Sequence, residues 1–107
     1  MNRYEQMTLK TQEALIDAQD MARSEGHQQL MVEHVLLALI KQKGGVVPSV
    51  LEKLGVSLGA IVSELEEYVG RLPKVQGVSA QTYMSPGLST LLDMSWKHVE
   101  RLKDIYL

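Results

Sequence analysis

The residues predict an all-α fold of five helices, and three observations carry that prediction. Apolar residues recur three and four positions apart through most of the chain, the spacing that lines one side of a helix rather than one face of a strand. Hydroxyl residues and prolines stand where helices would begin, and glycines where they would stop. The apolar complement is Leu, Val, Ile, Ala and Met, with one Trp, four Tyr and no Phe. That set packs readily between helices.

The first helix is predicted over 8–25. The Thr8 hydroxyl suits the cap, where a side-chain oxygen accepts from an unpaired backbone N–H, and Gly26 lies just past the end. Ala14, Ala18 and Ala22 repeat every four residues, with Thr11, Leu15 and Met21 beside them, so another helix can approach that face closely. Leu9 and Ile16 project from roughly the opposite side at about 100° per residue. This helix has two faces to account for.

Residues 26–31 read as a polar turn. The run Val32-Glu33-His34-Val35-Leu36-Leu37-Ala38-Leu39-Ile40 then starts a second helix, whose apolar residues surround the axis almost completely and mark it as the buried centre of a bundle. Gly44-Gly45 ends it. A short third helix is expected over 48–54, with Pro48 in its first turn and Gly55 beyond its end. Ser57 caps a fourth, in which Leu58, Ile61, Leu65, Val69 and Leu72 form one stripe while Glu64, Glu66, Glu67 and Arg71 face water. Pro73 stops it. Residues 74–83 hold no sustained helical stripe and read as a surface loop. Ser85-Pro86 supplies a hydroxyl cap followed by proline at the first helical position, and a fifth helix runs to about Lys103. Leu88, Leu91, Leu92, Ser95, Val99 and Leu102 share its inner face, and Met94 lies well off it.

With 107 residues, 45% hydrophobic and 22% charged, the chain has the balance of one ordinary globular domain. Eleven basic residues against thirteen acidic ones, scattered rather than clustered, disfavour a nucleic-acid surface. The absence of cysteine excludes a disulfide framework, a thiolate zinc site and a thiol nucleophile, and fits a reducing cytoplasm. Residues 1–6 hold no apolar core of the signal-peptide kind, and the longest aliphatic run, 35–40, is too short to cross a bilayer. A cytoplasmic protein with no membrane partner is the expectation.

Sliding the chain against itself gives one informative register, an offset of 77 residues that sets Thr8 on Ser85. Leu15 then falls on Leu92, Ala14 on Leu91, Ala18 on Ser95 and Ala22 on Val99, so small or apolar residues coincide along one face. Residues 1–84, with a linker loop at about 74–84, form a first unit, and 85–107 open a second that is too short to close a bundle. Either the sequence is a piece of a longer chain, or the remaining helices come from a partner or an exchanged copy.

At this point the residues resemble the amino-terminal domain of the Clp or Hsp100 chaperones, most closely the ClpB branch. The resemblance is carried by Thr8 with Ala14-Leu15 and Ala18, by His27, by the run 33–40 beginning Glu33-His34, by Leu54-Gly55-Val56, and by Arg71-Leu72-Pro73-Lys74-Val75-Gln76-Gly77. It implies the Clp N helical bundle, here a first four-helix repeat plus the first helix of a second. It further implies a module that engages unfolded or aggregated polypeptide and sits on a hexameric AAA+ machine that uses ATP and Mg, with adaptor proteins as alternative partners in the ClpA and ClpC branches. No ATPase part or cofactor site is present in this chain, because Gly44-Gly45 lacks the spacing to a Gly-Lys-Ser or Gly-Lys-Thr end that a phosphate-cradling loop needs. One departure stands out: Met31-Val32 precede the Glu-His pair where the family often has Thr, Ser or Pro.

His27, His34 and His98 include no i, i+4 pair and no HExxH, so they are not arranged as metal ligands. His34 at a helix start and His27 in a turn suit structural hydrogen bonds. No Gly-x-Ser-x-Gly elbow is present, and the glutamates of the fourth helix read as a solvated face, so no catalytic role is assigned. The binding residues expected are Leu9 and Ile16 on the first helix with Leu92 and Met94 on the fifth, and Trp96 as an accessory, because a site for unfolded chains should be apolar and adaptable. Packing against another repeat is the competing role for Leu9 and Ile16. By resemblance, Thr8 and Asp104 match positions near the groove between repeats, although Thr8 also suits a helix cap and Asp104 the cap of a next helix.

Overall fold

Residues 9–75 and 82–106 are described by the computed structural model, except for the side chains of 99, 100 and 102–106. Among the described residues there are five helices: α1 (Leu9–Ser24), α2 (Val32–Lys41), α3 (Val46–Lys53), α4 (Leu58–Gly70) and α5 (Pro86–Tyr106). The expected cap at Thr8 lies outside the described residues.

Helix α2 is the centre, in contact with α1, α3 and α4. Its largest interface is with α1, through the face the alanine repeat predicts: Ala14, Ala18 and Ala22 are all fully buried. Three methyl-sized side chains in register let the two backbones approach closely. From α2 the buried residues are His34, Leu37, Ala38 and Ile40. Lys41 Nζ meets Glu66 Oε1 of α4 at 2.8 Å, but both side chains are about half exposed, so the pair adds little beside the apolar packing.

Helix ends follow local chemistry. Gly26 adopts φ +76° after α1, a conformation that L side chains rarely take. A Cβ there would stand 3.0 Å from the Val75 carbonyl oxygen, while Val75 N–H donates to the Gly26 carbonyl at 2.8 Å. The end of α1 is thereby pinned to the segment that follows α4. Ser57 caps α4 by accepting from Ala60 N–H at 3.3 Å, and Ser85 caps α5 by accepting from Leu88 N–H at 3.1 Å. Helix α3 starts two residues before the expected Pro48, with Gly45 as its cap. Proline at the third helical position still falls among the first-turn N–H groups that have no intrahelical acceptor, so it costs no hydrogen bond.

Two segments expected to be plain turn and loop contain short strands, β1 (Gln29–Leu30) and β2 (Tyr83–Met84), which pair in parallel with Gln29 opposite Tyr83 and Leu30 opposite Met84. The bridge is bracketed by Tyr83 N–H donating to the Gln28 carbonyl at 2.8 Å and Ser85 N–H to the Leu30 carbonyl at 2.9 Å. It fixes the start of α5 against the α1–α2 connection. Beyond that start, α5 touches the bundle mainly through Leu88, which is fully buried, and Leu92, which packs at the edge of the core. Leu91 and Ser95, expected on the inner face, are exposed. The radius of gyration, 15.1 Å, exceeds the roughly 13 Å typical of a compact chain of this length.

Candidate functional site: an apolar groove between α1, α2 and α5

The partial seating of α5 leaves a groove of about 300 Å³. Thr11, Ala14 and Leu15 of α1 form one wall, Leu88, Leu91, Leu92 and Ser95 of α5 the other, and Val32, Val35, Leu36 and Leu39 of α2 the floor. Among these side chains only Thr11 and Ser95 carry a polar atom. Such a groove can hold branched or aromatic side chains of a partner, and its lining holds no acidic or basic side chain.

Of the residues singled out in the sequence, Leu92 lies in this lining. Leu9 (70% exposed), Ile16 (47%) and Met94 (54%) stand on outer surfaces and are not part of it. Thr8 and the Asp104 side chain lie outside the described residues, and Trp96 is half-buried. The floor residues were legible in principle: α2 carries two apolar stripes, of which the one containing Leu37 and Ile40 is buried and the second is only partly so. The other, at positions 32, 35, 36 and 39, has the i, i+3, i+4, i+7 spacing of a second helix face. Reading α2 as uniformly central merged the two.

A second feature is a buried pair of imidazoles. His27 and His34 are 3% and 0% exposed, and His27 Nδ1 lies 2.9 Å from His34 Nε2. His34 Nδ1 accepts from Met31 N–H at 2.9 Å. That contact resolves the departure at Met31-Val32. Met31 has no side-chain oxygen to cap α2, and the third helical residue reaches back to the cap N–H instead, as Glu or Gln does in a capping box. Burial lowers the pKa of His27 below the ordinary 6.5, as does Lys74, against an opposing pull from Glu25. Burial also lowers that of His34, reinforced by His27 and opposed by Glu33 and Glu25. Both shifts favour the neutral rings. Among the described residues no group of three His, Cys, Asp or Glu is placed to hold a metal ion, and no helix is long and apolar enough to cross a membrane.

A five-helix bundle with an apolar groove between α1, α2 and α5 belongs to the class of small all-helical domains. Similarity to known proteins specifies which. Residues 6–107 match the Clp repeat (R) N-terminal domain, and the chain belongs to that family. It is 35% identical over 105 residues to the chaperone protein ClpB of Bacillus cereus and 36% identical over 102 residues to chaperone protein ClpB 2 of a Nostoc species. Each match covers 95% of this chain but 12% of the relative. Among solved structures, the N-terminal domain of the ClpV1 ATPase of an Escherichia coli type VI secretion system superposes with a TM-score of 0.80 at 21% identity, covering 88% of this chain and 56% of that one. The N-domain of ClpV from Vibrio cholerae gives 0.74 at 20% identity, covering 87% and 54%. These two likenesses speak to the fold.

Proposed function

We propose that this domain recruits exposed hydrophobic segments of unfolded or aggregated polypeptides for a ClpB-type disaggregase in the cytoplasm. The observation that carries the reading is the groove between α1, α2 and α5, apolar along its floor and open to solvent at Leu91. Similarity to the N-terminal region of ClpB chaperones supports the ClpB branch. On this reading, 1–84 is the first repeat and 85–107 the first helix of a second. The remainder of the machine, a hexameric AAA+ ATPase using ATP and Mg, is contributed by sequence outside the matched region. Leu9, Ile16 and Met94 extend the contact surface beyond the groove, and the family resemblance adds Thr8 and Asp104 to it. Binding is weak and reversible, as suits delivery to a motor.

Fluorescence anisotropy with a permanently unfolded, apolar test polypeptide examines this directly. The domain binds the unfolded form and ignores the native one, and Leu91→Asp weakens binding roughly tenfold or more while the helical circular dichroism stays intact, because a buried unpaired carboxylate opposes the complex. Unchanged affinity in Leu91→Asp rejects the groove. Leu9→Asp and Met94→Asp then report whether the outer residues take part.

A second reading, docking of a folded adaptor as proposed for the ClpA and ClpC branches, draws on the concave surface between the start of α2 and α4, where Glu33, Glu64, Glu67 and Arg71 gather around Ile61 and Tyr68. Salt separates the two readings. Adaptor docking through such charges falls steeply with ionic strength, whereas apolar binding persists.

A further inference from the structure

The buried imidazole pair has a defined proton arrangement, and it follows from the hydrogen bonds alone. Since Met31 N–H donates to His34 Nδ1, that nitrogen carries no proton, and the neutral ring holds its proton on Nε2. His34 Nε2–H therefore donates to His27 Nδ1, 2.9 Å away. The proton of neutral His27 is left on its own Nε2, a buried atom with no partner among the described residues. Donation runs one way, from Met31 through His34 to His27.

A chain of this kind has no place for another proton. Protonating His27 at Nδ1 sets two N–H groups against each other. Moving the His34 proton to Nδ1 to relieve that clash sets it against Met31 N–H and opens the cap of α2. Protonating His34 at Nδ1 does so at once.

The strip between the two histidines also holds the lead-in to α5. The His27 carbonyl accepts from Thr82 Oγ1 at 2.9 Å, the Gln28 carbonyl from Tyr83 N–H and the Leu30 carbonyl from Ser85 N–H, and Ser85 caps α5. We propose that the His27–His34 pair is a positioning device for α5 that lets go when either ring gains a proton, so that mild acid loosens the α5 wall of the groove while α4 stays in place. The proposal rests on the groove reading for its functional meaning but not for its physics.

The charged groups around the pair are few. Glu25 faces both rings and Glu33 faces His34, each favouring a proton, while Lys74 opposes one on His27 and is itself held by Glu25 at 3.3 Å. Residues 76–81, Gln-Gly-Val-Ser-Ala-Gln, have no titratable side chain. Burial outweighs the carboxylates at both rings. With the folded pKa values below those of the unfolded chain, the unfolded state binds more protons in this range. The stability from the pair is complete above about pH 6.5 and is lost as pH falls from there through the folded values.

Native-state hydrogen exchange on the full chain, corrected for the intrinsic rate, tests the device at about pH 7.5 and about pH 5.5. Loss of one buried hydrogen bond corresponds to roughly a tenfold change in opening. Protection of the Tyr83 and Ser85 amides should therefore fall by about that factor more than protection of Leu65 and Val69 in α4. The difference should vanish in the double variant His27→Gln/His34→Gln, in which the new amide at position 34 retains an acceptor for the cap N–H but neither side chain titrates. Equal loss in α4 and β2, or a difference that persists in the double variant, overturns the proposal. Imidazole nitrogen shifts of the unmodified protein provide a measurement that needs no variant to fold: a His34 ring with its proton on Nδ1 at neutral pH also overturns it. Neither readout involves a client, so the groove can fail while the device stands, and the reverse.

Discussion

Helices α1 and α5 occupy corresponding places in the 77-residue register, yet one is closed and the other open. Along α1, Ala14, Ala18 and Ala22 are fully buried against α2. At the matching positions of α5 stand Leu91, Ser95 and Val99, and Leu91 is 43% exposed. Methyl-sized side chains allow two backbones to close on each other, while α5 is seated through Leu88 and Leu92 with the groove beside them. Small residues line the close α1–α2 contact, and large ones the groove beside α5. Closure along the alanines of α1 thus bears on stability, while the openness of α5 is the feature on which the proposed contact rests.

Core truncations sharpen the contrast. Leu37, 2% exposed in the closed half, should cost about 2–5 kcal/mol as Leu37→Ala, read as a shift of the denaturant midpoint with an unchanged m-value. Leu88→Ala removes the one fully buried anchor of α5 among the described residues and should cost roughly 2 kcal/mol, near the low end because the adjoining groove lets the site relax. Hydrogen exchange should show that loss in α5 before α2. Leu91→Ala should move stability by no more than about 0.5 kcal/mol. A Leu91 effect as large as that of Leu88 breaks the comparison, since it would mean that the α5 face is already covered.

Much of the fold was legible because its punctuation is chemical. Ser57 and Ser85-Pro86 start α4 and α5 where their hydroxyls predict, Gly26 follows α1 with the positive φ that favours glycine, and the α4 stripe from Leu58 to Leu72 faces inward. The β1–β2 bridge was not, because two residues cannot display the alternation by which a strand is recognised, and its partner lies far along the chain. His34 in the place of a capping residue was read as structural from its position at the helix start. Its link to His27 needed the fold. The groove floor was hidden in plain view, since a helix apolar all round looks central until the neighbour on each side is known. Leu9, Ile16 and Met94 share no wall with Leu92 for a related reason: sequence spacing assigns a side to each residue of a helix but not the helix that will face it.

The parallel bridge has a mechanical meaning beyond its size. Because β2 leads straight into α5, the pairing of Leu30 with Met84 sets the angular phase of the helix as a gear tooth sets a shaft. One residue inserted between the bridge and the helix would turn α5 by about 100° and present different side chains to the cleft. The spacing from Tyr83 to Leu88 is therefore what indexes the whole wall.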